Sequence, residues 1–187
     1  MKAKLIVMLA MLILTPAAFA ITDIAVGPYC GMAIPVVNES AESGMMYGIQ
    51  AKVSLIPMLS IGGHYSSRNY GNPTIIAFEG TEYETEMESD GGSMTYYGID
   101  AYLGNSGGTG ANLYAMGSFG SYKWERDDTE DISKTAFAAG LGIEYVLPMK
   151  IGIDARALME FASNDDSTYK SFLWFVGLNY HFGLGPM

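Results

Sequence analysis

The chain has 187 residues, with 20 acidic side chains against 10 basic ones. That excess excludes a nucleic-acid partner, because holding a phosphate backbone requires a basic surface. A single cysteine, Cys30, excludes an internal disulfide, and with only two histidines beside it no transition-metal ligand set is available.

Residues 1–20 read as a cleavable secretory leader. Lys2 and Lys4 precede an uncharged stretch, Leu5 to Leu14, and Ala18-Phe19-Ala20 has the small residues of a cleavage site. The mature part, 21–187, is one domain's worth of chain. The apolar stretch of the leader is too short for a membrane helix, and no later window of about 20 residues is free of Gly and charge. Without spanning helices a chain crosses hydrocarbon only as a closed barrel, since every backbone N–H and C=O there needs a partner. Pro28-Tyr29 before Cys30 lacks the small residues of a lipoprotein site, so Cys30 reads as a wall residue.

Eight segments alternate with the period-2 pattern of a strand, which places one set of side chains on each face. In the first, Ile24, Val26, Cys30, Met32 and Ile34 oppose Ala25, Gly27, Tyr29, Gly31 and Ala33. The second sets Tyr47, Ile49, Ala51, Val53 and Leu55 outside and Gly48, Gln50, Lys52 and Ser54 inside. After Pro57, Leu59, Ile61, Gly63 and Tyr65 oppose Ser60, Gly62, His64, Ser66 and Arg68. The fourth has Tyr97, Ile99, Ala101 and Leu103 against Gly98, Asp100 and Tyr102; in the fifth, Leu113, Ala115, Gly117 and Phe119 are assigned outward. The sixth alternates Phe137, Ala139, Leu141, Ile143 and Tyr145 with Ala136, Ala138, Gly140, Gly142 and Glu144. The seventh sets Ile151, Ile153, Ala155, Ala157, Met159 and Phe161 against Gly152, Asp154, Arg156 and Glu160. The eighth sets Phe172, Trp174, Val176, Leu178, Tyr180 and Phe182 against Ser171, Gly177, Asn179 and His181.

Connectors alternate in length and charge. Those near Pro57, Asn105 to Gly110 and Pro148 are short, whereas 35–44, 69–92, 125–133 and 162–169 are long and hold 15 of the 20 acids. Short turns at one rim and long loops at the other form the pattern of outer-membrane barrels, which a soluble sandwich has no reason to adopt. With the leader, the eight alternating segments, the run Gly140-Leu141-Gly142-Ile143-Glu144-Tyr145 and the closing run Phe172 to Phe182, the chain resembles the small outer-membrane β-barrels of the OmpA- and OmpX-like kind. That resemblance implies an all-β, eight-stranded antiparallel up-and-down transmembrane barrel in the cell outer membrane, porin-like, monomeric and without a cofactor. Gly183 to Met187 follow Phe182, where the family usually ends on an aromatic.

An eight-stranded barrel encloses room only for side chains, so the inward set decides between a plug and a path. Lys52, Arg68, Asp100, Glu144, Asp154, Arg156 and Glu160 form a nearly balanced lumen charge cluster, joined by Gln50, His64, Tyr102, Asn179 and His181. A turn pairing Leu147 with Ile151 sets Glu144 opposite Asp154, where Arg156 is expected to bridge both. Withdrawn charges persist only when paired and hydrogen-bonded, so the cluster reads as a plug, not a pathway.

For catalysis the sharpest candidates are His64 and Ser66, which share one strand face, with Glu79 to orient the imidazole. A His-x-Ser pair with a downstream Glu is similar to the lipid A deacylases, although here Ser67 replaces their following Asn and the pair falls on the third strand, facing the lumen. A lumen-filling His outweighs the enzyme reading. Glu82, Glu84, Glu86 and Glu88 alternate along the long loop and could meet Ca²⁺ or Mg²⁺; solvated charge is the plainer reading, and no metal site is assigned. The expected role is structural or interactive, with outer-membrane lipid, lipopolysaccharide, divalent cations or host-surface ligands as partners. A narrow conduit for small or hydrophobic solutes is the alternative, and a lipid A deacylase-like hydrolase the remoter one.

Overall fold

The computed structural model describes residues 22–36, 42–72, 74–77, 85–88, 91–105, 108–125, 132–163 and 168–183, with backbone alone for 74–77, 85–88 and 132. Eight strands close into one barrel: β1 (Asp23–Pro35), β2 (Gly44–Ile56), β3 (Leu59–Asn69), β6 (Ser93–Gly104), β7 (Gly110–Glu125), β8 (Ile132–Val146), β9 (Ile151–Ser163) and β10 (Thr168–His181). Around the wall the order is β1-β10-β9-β8-β7-β6-β3-β2, and every neighbour is antiparallel. The seam is ordinary ladder, with Val26 opposite Tyr180 and Cys30 opposite Val176. No sheet edge is left in the wall, as hydrocarbon demands.

The alternation of apolar and polar positions sets which way each strand faces. Ile49, Ile99, Leu113, Leu141, Ile153 and Leu178 are exposed on the outside, while Gln50, Asp100, Asn112, Asp154 and Asn179 are buried within. A water-soluble core would show the reverse; the outward apolar face is the one selected by lipid. On β8 the row from Phe137 to Tyr145 rises roughly 20 Å along the axis, from about 3.3 Å per residue and a tilt near 40°. A girdle of aromatics lies at its loop-side end, where Tyr65 faces Tyr97 and Phe119, Phe137 and Phe161 stand in register on three successive strands.

The fifth segment keeps the expected orientation, with Leu113, Ala115 and Phe119 exposed. Two short strands are additional: β4 (Thr74–Ala77) and β5 (Thr85–Glu88) pair as a separate ribbon within the long third connector. The short turns face the opposite end. At 147–150 the Leu147 N–H donates to the Ile151 carbonyl at 2.8 Å, and Lys150 adopts φ 65° to close it. That left-handed conformation is one an L-residue holds at some cost.

Inside, large rings lie over glycines of the next strand. A Cβ on Gly142 would fall 2.4 Å from the Tyr114 ring, and one on Gly48 would fall 2.6 Å from Tyr29. The glycine positions of the inward rows are therefore the space into which the tyrosines pack.

Candidate functional site: the barrel lumen

The lumen is crossed by three tiers of polar side chains, which all eight barrel strands help to line. At the short-turn end, Glu144 of β8 is the hub. Lys52 of β2 donates to it at 2.5 Å, Asn179 of β10 at 2.6 Å, and His181 Nε2 lies 3.2 Å from the same carboxylate. The other ring nitrogen of His181 meets Asp23 of β1. Gln50 Nε2 donates to Asn179 at 2.8 Å and to Asp154 at 3.2 Å, which joins this tier to the next.

In the middle, Arg156 and Asp154 of β9 pair through two guanidinium N–H groups, at 2.5 and 2.8 Å. Tyr114 of β7 donates to Asp154 and accepts from Arg156 Nε at 2.8 Å, and Tyr102 of β6 accepts from Arg156 at 3.1 Å. The guanidinium lies 5.1 Å from the Tyr102 ring centre and 5.3 Å from that of Phe175, within the range at which aromatic faces attract a cation. Tyr102 in turn donates to Asp100 at 3.1 Å, and His64 Nδ1 stands 2.9 Å from the same carboxylate. Toward the loops, Arg68 of β3 grips Glu160 of β9 bidentately at 2.5 and 2.8 Å, over the Tyr96 ring. Tyr70, Trp124 and Tyr169 cap this pair, with Trp124 Nε1 donating to the Gly91 carbonyl at 3.1 Å.

All seven members of the expected charge cluster face the lumen and are buried. One expected contact is corrected. Glu144 does lie opposite Asp154, but Arg156 does not bridge them: it turns to Asp154 on its own strand, and Glu144 is occupied by Lys52, Asn179 and His181. The reason is reach across the barrel, where Lys52 arrives from the far wall and fills the place a diagonal Arg156 would need. Asp23 was missed, although it stands two residues before Ala25 in the inward row; Tyr114 was missed because the fifth segment carries aromatics and small residues on both faces.

His64 and Ser66 both face inward, and Ser66 is completely buried. The carboxylate at His64 is Asp100, and the imidazole turns its Nδ1 to that group, with no hydrogen bond to Ser66 Oγ. Glu79, Glu82 and Glu84 lie outside the described residues; Glu86 and Glu88 fall on β5, where only backbone is described. Among the described residues, no group of three or more His, Cys, Asp or Glu is arranged to hold a metal ion.

Among solved structures, the neisserial surface protein A superposes with a TM-score of 0.59 at 11% identity, covering 84% of this chain and 95% of that one. The N-terminal barrel domain of Pseudomonas aeruginosa OprF gives 0.52 at 12% identity, over 86% and 98%. The fold is that of the small outer-membrane β-barrels. A third such barrel, the Yersinia pestis attachment invasion locus protein Ail in complex with the heparin analogue sucrose octasulfate, gives 0.50 at 18% identity, over 86% and 97%. Identities this low establish the shared architecture alone. No protein-family model and no curated protein matches the sequence. Architecture of this kind hosts unrelated activities, so the reading of function rests on the lumen and the loops.

Proposed function

We propose that this is a non-enzymatic outer-membrane protein, exported through the leader at 1–20, whose lumen is closed to solutes and whose work is done by its loops. The observation that carries the reading is the middle tier. Arg156, held by Asp154, Tyr114 and Tyr102 and packed against the Tyr102 and Phe175 rings, is buried inside a barrel too narrow to leave a passage beside it. Loops on a rigid scaffold are where specificity is built, and here the long connectors hold 15 of the 20 acids. Lipopolysaccharide and outer-membrane lipid are the partners of the wall. A cell-surface ligand with basic groups, or divalent cations that bridge the loop acids to neighbouring lipid phosphates, are the partners of the crown.

The hydrolase reading is disfavoured because Ser66 is sealed inside the lumen, away from any lipid substrate. The conduit reading meets the same obstacle in Arg156. Conductance of the refolded barrel in a planar bilayer tests the closed lumen: the expected result is a silent membrane, and steady ion currents scaling with inserted protein would refute it. Binding of the intact barrel, compared with one whose 69–92 loop acids are replaced by Gln, tests the role of the crown.

A further inference from the structure

Fifteen of the chain's 20 acids lie in the long connectors. The remaining five, Asp23, Asp100, Glu144, Asp154 and Glu160, are all buried in the lumen. Three have a fixed cation: Glu144 has Lys52, Asp154 has Arg156 and Glu160 has Arg68. The other two have only a histidine, Asp100 with His64 and Asp23 with His181.

His181 shows why this matters. Its Nδ1 meets a carboxylate oxygen of Asp23 from β1, and its Nε2 meets a carboxylate oxygen of Glu144 from β8. A neutral imidazole has one N–H, so its bare nitrogen would confront an anion lone pair to lone pair; only the imidazolium donates from both sides. The surroundings agree. Lys52 from β2 takes the other Glu144 oxygen, Asn179 of β10 donates to Glu144, and from β9 the neighbour is Gly152, with no side chain to offer. At His64, Asp100 and the stacked Tyr96 face the ring from β6, Tyr29 from β1, and Gln50 stands opposite on β2. Arg68, further up the same strand, is spent on Glu160, and Arg156 of β9 reaches Asp100 only through the Tyr102 hydroxyl.

We infer that His181 is an imidazolium latch that ties β1 to β8 across the closing strand β10, one ring N–H on Asp23 and the other on Glu144. The latch closes the barrel at its short-turn mouth, where the last residue of β10 meets the first residue of β1.

The test uses the whole mature barrel in detergent micelles. With ¹⁵N-labelled histidine, both ring nitrogens of His181 are expected to give the protonated signature at about pH 8, where a free imidazole is neutral. A neutral tautomer with one bare nitrogen there overturns the inference. In parallel, the folded-to-unfolded ratio in urea is compared for wild type and His181→Gln, which is expected to lower it by about tenfold, the loss of a charge-assisted hydrogen bond. An unchanged ratio refutes the latch; if H181Q does not refold, the nitrogen signature of the wild type decides.

Discussion

Arg156→Met removes the central cation while leaving a side chain of similar length in the lumen. Asp154, at 1% exposure, then keeps only Tyr114 and Gln50 as donors, and the hydroxyls of Tyr114 and Tyr102 each lose the guanidinium N–H they accept. Breaking a buried pair from one side costs about 3–5 kcal/mol, chiefly the penalty of an uncompensated charge. Removing both charges in Arg156→Met/Asp154→Asn is expected to recover more than half of that, because the burden lies in the stranded anion and not in the lost attraction. Equilibrium unfolding in urea, with folded and unfolded forms separated by their gel mobility without boiling, gives both values. If R156M is within about 0.5 kcal/mol of wild type, as an exposed surface change would be, or if the double variant is no better than the single, the central pair is not what holds the lumen closed.

Two further expectations follow from the wall and its packing. Leu141 is central in the outward row of β8 and Tyr145 lies at its short-turn end, so Leu141→Arg is expected to destabilise the bilayer-inserted barrel by about 2–4 kcal/mol and Tyr145→Arg by about 0–1. Equal effects, measured by unfolding from vesicles, would mean that the apolar belt is misplaced. Gly142→Ala would put a methyl 2.4 Å from the Tyr114 ring, which is tied by its hydroxyl to Asp154 and Arg156 and cannot swing away freely. A loss of about 1–3 kcal/mol is expected, and little change in the unfolding midpoint would show that the ring has room to move.

Much of this architecture was legible in the amino-acid order because it depends on neighbours along the chain. Ile153, Asp154, Ala155 and Arg156 alternate between lipid and lumen as successive residues of a strand must. The short turn at Pro148 sets the β8–β9 register that brings Glu144 opposite Asp154. The direction of every barrel strand, the lumen membership of all seven cluster charges and the apolar exterior could therefore be read from parity alone. Asp23 obeys the same rule, two residues before Ala25 in the inward row of β1.

Which charge holds which was not readable, because partners across the lumen are set by the tilt of the strands and the closure of the sheet. Lys52 and Glu144 are 92 residues apart, as are Arg68 and Glu160, and each pair meets across the lumen, away from its own ladder neighbours. Asp23 and His181, 158 residues apart, meet only because β10 closes against β1. Parity is a local property of an extended backbone, whereas the height at which a side chain crosses the lumen depends on how far every strand has slipped past the next by the time the barrel closes. That accumulated stagger turned Arg156 to Asp154, gave Glu144 to Lys52 and brought His181 between two carboxylates.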